Sequence, residues 1–111
     1  MKTLKNSIIS ILEDNKGEDI ALIDVKGKSS VTDLMFIVSG RSTRHVKSIA
    51  DNLITKLKKN KMKPIGVEGY SSSEWILLDY IDVVVHVFQK SKREFYDLEG
   101  LWGDAKKIEL K

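Results

Sequence analysis

The stretch EWILLDYIDVVVHVF, residues 74–88, decides the fold. Val, Ile, Leu, Trp and Phe fill it, and nothing in it breaks a strand. Its two runs flank a short polar kink at Asp79, Tyr80, Ile81 and Asp82. That pattern predicts strand, tight connection, strand, paired antiparallel. A strand with one wet face alternates apolar and polar residues, whereas these runs are almost continuously apolar. Both faces are therefore expected to be covered, one by a helix and the rest in part by another protein, and the hairpin to lie inside a sheet. Side-chain alternation sends Trp75, Leu77 and Asp79 to one face and Ile76, Leu78 and Tyr80 to the other. In the second run Val84, His86 and Phe88 oppose Val83, Val85 and Val87.

Upstream, Leu4, Ile8, Ile11 and Leu12 recur at helical spacing and predict a short amphipathic helix over 3–15, capped by Thr3 and ended by Gly17. Residues 19–25 predict a first strand, 26–30 a turn, and 34–39 a second strand. Val46, Ile49, Ala50, Leu53, Ile54 and Leu57 then step by three and four, which makes one apolar helix stripe with Ser42 at its N-cap. Lys56, Lys58, Lys59, Lys61 and Lys63 crowd its far end, where cations suit the helix dipole. Pro64 stops it, and 65–67 predict a short third strand. Downstream of the hairpin, Phe95, Leu98 and Trp102 can share a helical face, with Gly100 loosening the second turn. The tail, 106–111, is expected to fray or to pack late. The expected architecture is α/β: a single domain, 1–111, with a mixed five-stranded sheet and flanking helices.

With 111 residues the chain suits one domain and buries enough surface for a core without staples. At 41% hydrophobic and 32% charged it is not a disordered composition. It has no cysteine, which excludes disulfides, thiolate catalysis and cysteine zinc sites and fits a reducing cytosol. No apolar run reaches membrane-span length and no signal core is visible, so a cytoplasmic location is expected. A net charge of +3 permits RNA contact without arguing for it.

Candidates for chemistry are few. His86 sits among valines, where a structural or interface histidine outweighs a catalytic base. His45 lies near a helix start. Two histidines without a carboxylate cluster do not make a metal site of usual spacing. Ser39-Gly40 before a helix, with Asp79 and Asp82, has the flavour of a nucleotidyltransferase site, but no tight acidic pair follows the turn. No cofactor is expected. What remains is an apolar surplus: three helical segments are too few to cover both faces of the sheet. Trp75 and Tyr80 are then either anchors for a partner or simply core, and the sequence favours neither.

Three blocks carry a resemblance to a known family. The first is Thr32-Asp33, Phe36-Ile37, Ser39-Gly40 and Ser42. The second is Glu68-Gly69, Trp75, Leu77, Leu78, Asp79, Tyr80, Asp82 and the run ending at Phe88. The third is Arg93, Phe95, Tyr96, Leu98, Glu99, Leu101, Trp102, Asp104 and Ala105. Together they resemble the ribosomal silencing factor family, also called the Iojap family, over about residues 20–105. Two departures stand out. Leu34-Met35 replaces the usual Tyr-Phe, and Ile81 replaces a common glycine, which alters the bend of the hairpin.

The resemblance implies a non-enzyme with a nucleotidyltransferase-like fold. It implies binding to the large ribosomal subunit through its ribosomal protein fourteen, with steric obstruction of small-subunit joining, and a homodimer when free. The residues expected to meet the partner are Trp75, Leu77, Asp79, Tyr80, Asp82 and His86, with a peripheral ribosomal RNA contact. The alternatives are a nucleotide-binding or nucleotidyltransferase-like enzyme and a direct RNA-binding module.

Overall fold

The computed structural model describes residues 2–27, 32–97, 100 and 106–108. The element order is α1 (Lys2–Asp14), β1 (Glu18–Asp24), β2 (Leu34–Gly40), α2 (Thr43–Lys59), β3 (Gly66–Glu68), β4 (Trp75–Asp79), β5 (Val83–Gln89), α3 (Lys90–Tyr96) and β6 (Lys106–Ile108). The sheet runs β3-β4-β5-β2-β1-β6. Only β2 and β5 are parallel; the other neighbours are antiparallel. The five expected strands are present. A sixth, β6, adds to the β1 edge, so residues 106–108 of the tail pack as a paired strand and do not fray.

The helices segregate. α1 and α2 pack on one face, where Ile8, Leu12, Phe36, Leu53, Leu57, Ile76, Leu78 and Val85 form the larger core cluster. The expected stripe of α2 is the buried one: Val46, Ile49, Ala50, Leu53 and Leu57. Its N-cap is Ser42, whose hydroxyl accepts from the His45 N–H at 3.1 Å. His45 does more than sit near a helix start. Its Nδ1 accepts from the Arg41 N–H at 2.9 Å, and its Nε2 lies 2.8 Å from the Asn15 carbonyl, tying the end of α1 to the start of α2.

On the other face, Ile23, Val25, Met35, Ile37 and Phe88 form a smaller cluster with Ala21 and Trp75 against it. β5 is buried on both faces, as its continuous apolar run requires. β4 is not. It alternates, with Ile76 and Leu78 buried but Trp75, Leu77 and Asp79 only half-buried. Within the chain one face of β4 is thus only partly covered, because α1 and α2 lie on the other side, in line with the expected shortage of helices.

Candidate partner-binding face of the sheet

Register builds the site. Across the β4–β5 pair, Trp75 stands opposite Phe88 and Leu77 opposite His86. Across β2–β5, Ile37 is level with His86 and Ser39 with Phe88. Trp75, Leu77, His86 and Phe88 therefore share the face turned away from α1 and α2. The indole of Trp75 stacks on Phe88 with ring centroids 4.8 Å apart. Tyr96, from α3, closes on the same indole at 4.9 Å and meets Phe95 edge-on. Offset and edge contacts of this kind suit the ring quadrupoles. The rim of the cluster is open: Tyr96 is 46% exposed and Phe95 78%.

His86 holds the cluster from beneath. It is buried, and its Nδ1 accepts from the Trp75 indole N–H at 2.9 Å. Burial lowers its pKa to about 4, so it is neutral at physiological pH. An accepting Nδ1 places the ring proton on Nε2. His86 thus orients Trp75 and offers a partner little surface of its own. Gly69 sets the start of β4. It has φ +77°, and a Cβ there would overlap the Trp75 carbonyl oxygen. A depression of about 270 Å³ lined by Glu68, Gly69, Trp75 and Leu77 opens beside the indole.

α3 is fixed by Arg93. Its Nη1 donates to the Asp19 carbonyl at 2.6 Å and to the Ser39 hydroxyl at 2.9 Å. Asp19 has φ +51° and lies where the β1–β2 register shifts, so Arg93 satisfies an irregular carbonyl while anchoring the helix. The helix ends at Tyr96, with Asp97 left-handed. Leu98 and Trp102, expected on one face with Phe95, lie outside the described residues.

The remaining expected contact residues separate from this cluster. Tyr80 is a correction. It is 3% exposed within the core under α1 and α2, so it buttresses the hairpin and presents no contact area. Burial raises its hydroxyl pKa to about 12. Asp79 shares the open face but works locally: its carboxylate accepts from the Ile81 N–H at 2.8 Å. Asp82 is exposed at the hairpin tip, and its carbonyl accepts from the Asp33 and Leu34 N–H groups. These two acids lie beside the start of β2, whereas Ser39-Gly40 ends it. Five to six residues of strand separate them, about 17–20 Å at the usual rise. The turn and the acids therefore do not converge on one phosphate-and-metal site. Phe95, Tyr96 and Phe88 were not singled out as contact residues from sequence; an aromatic run beside Trp75 in the register would have pointed to them.

The family model described as "Ribosomal silencing factor during starvation" matches residues 1–111. Ribosomal silencing factor RsfS of Haemophilus influenzae is 45% identical over 95 residues, covering 86% of this chain and 93% of that protein. The chloroplastic Iojap protein of Arabidopsis thaliana is 30% identical over 103 residues, 93% of this chain and 43% of its own length. A crystal structure of a Chromobacterium violaceum protein matches with a TM-score of 0.89 at 40% identity, covering 93% of this chain and 86% of that one.

Proposed function

Because the chain belongs to the ribosomal silencing factor family, we propose that it represses translation by seating the open aromatic face of its sheet on ribosomal protein fourteen of the large subunit. One observation carries the choice of face. Trp75, Phe88, Tyr96 and Phe95 form a contiguous aromatic cluster, stacked at its base and exposed at its rim. Large aromatic side chains held in place present contact area at little entropic cost, which is how interface anchors work.

The mechanism asks only for affinity and position. The bound protein occupies volume that an incoming small subunit needs, so joining is blocked without any chemical step. The 111 residues act as a single domain in the cytoplasm, where ribosomes are. Among the described residues no helix is long and apolar enough to cross a membrane. When free, the chain forms a homodimer by covering apolar sheet surface with a second copy. Ribosomal RNA supplies a peripheral contact.

Co-sedimentation tests this function. The protein should pellet with purified large subunits but neither with small subunits nor with already joined ribosomes. Equal pelleting with small subunits, or none with large ones, overturns it.

A further inference from the structure

We propose that the end of α2 is a second docking surface, distinct from the aromatic face, which grips the phosphate backbone of RNA. Lys56, Lys58, Lys59, Lys61 and Lys63 lie between Asp51 and Glu68 with no carboxylate among them. The chain has 19 Lys and Arg and 16 Asp and Glu. Five of those cations sit in this segment, so the rest of the chain has more acids than bases. The positive surplus is concentrated in the last turn of α2 and the four residues beyond it.

All five lysines are exposed. The two ion pairs found among the described residues, Arg41–Glu18 and Lys90–Glu18, involve none of them. Leu57 is buried between Lys56 and Lys58, so the helical lysines fan over the solvent side of the last turn. The chain then reverses through Asn60 and Lys61, and the final carbonyls of the helix are taken by backbone N–H groups of Asn60, Lys61 and Met62. Among the described residues no hydrogen bond or ion pair engages these five ammonium groups. Beside them, α1 and α2 flank an open groove of about 500 Å³ whose lining includes Asn6, Ser7, Ser10, Asp14, Lys56 and Asn60. Its amides and hydroxyls offer uncharged donors to phosphate and sugar oxygens; Asp14 opposes phosphate at its own position.

Uncompensated ammonium groups without interleaved aromatic rings suit a repeating anion read by charge and not by base. The choice of RNA as that polyanion rests on the ribosome-binding function proposed above. α2 packs on the face opposite the aromatic cluster, and its 17 residues span about 25 Å. Its start follows Gly40, at the end of the sheet where Phe88 lies, so the lysines are at the far end and in the other layer. Both surfaces can be occupied together, which would raise the effective affinity for a particle offering both.

Binding of a labelled oligouridylate of about 20 nucleotides, followed by anisotropy between 50 and 200 mM salt, tests this without ribosomes. The variant K56Q/K58Q/K59Q should bind at least about tenfold more weakly, with a salt slope shallower by roughly 2, from about 0.7 per lost single-strand contact. K16Q/R44Q/K90Q removes the same charge elsewhere and should keep the wild-type slope. Wild-type protein that fails to bind RNA, a lysine variant that matches wild type, or two triple variants that weaken equally overturns the proposal. So does displacement of the RNA by phosphatidylserine vesicles, which would assign the lysines to a membrane surface. Failure here leaves large-subunit pelleting through the aromatic face untouched, and failure of that pelleting leaves the RNA slope untouched.

Discussion

His86 shows how one residue sets the state of the site. Its neutral ring is the acceptor for Trp75, and its pKa falls from the ordinary 6.5 to about 4 because burial penalises the charged form. A depressed histidine pKa means that the unfolded chain takes up the proton first. The stability contributed by neutral His86 is therefore complete above pH 6.5 and is lost as pH falls from 6.5 to 4. The loss approaches about 1.4 kcal/mol per pH unit within that window. Denaturant melts at pH 7.5 and 4.5 should show a drop of about 2 kcal/mol, and H86Q should lack that component. A pH-independent midpoint in wild type would contradict the assignment of a buried neutral ring. The same contact explains why Trp75 was hard to place from sequence. It is neither free anchor nor closed core: one side is stacked and hydrogen-bonded, and the other is open. A period-two pattern gives the face a residue points to, but the depth of cover depends on what crosses that face.

At the scale of the hairpin, Ile81 is the misfit. Its φ is +74°, and the Asp82 N–H donates to the Tyr80 carbonyl at 2.9 Å across it. A three-residue turn with positive φ at its centre is the strained form, and a β-branched residue suits it poorly. Tyr80 N–H to Val83 carbonyl and Asp79 carboxylate to Ile81 N–H hold the turn in place. Ile81 is 56% exposed, so glycine there would give up little burial. I81G should raise stability by about 0.5–1 kcal/mol, the relief of a left-handed residue less the greater freedom of unfolded glycine. A lower denaturant midpoint would mean that the exposed Ile81 side chain makes a contact worth more than the strain. The departure at position 81 was legible in sequence, and so were all five longer-range strands, the stripe of α2 and its Ser42 cap. The burial of Tyr80 followed from the same alternation that placed it opposite Trp75. Its consequence was hidden because only the packed fold reveals that both long helices take Tyr80's side. β6 was not legible, since three residues in a charged tail carry no periodic signal.

Across the whole molecule, one layer of helices leaves the sheet with two unlike surfaces. The covered face is core. Among the described residues the other is finished only by α3, pinned through Arg93, and there Phe95 and Tyr96 stay exposed. That asymmetry is what the proposed docking role rests on, with the exposed lysines at the other end of α2. The decisive residue is Phe95, because at 78% exposed it can be changed without disturbing the core. F95D places a charge on the rim of the cluster while the Trp75–Phe88 stack and the Trp75–His86 hydrogen bond remain. Large-subunit sedimentation of F95D beside wild type, with melts run on the same samples, is the most direct measurement. An aromatic docking face requires an unchanged melting midpoint and at least about thirtyfold weaker binding, a loss of about 2 kcal/mol. Wild-type binding by a folded F95D would contradict the aromatic face as the ribosome-binding surface.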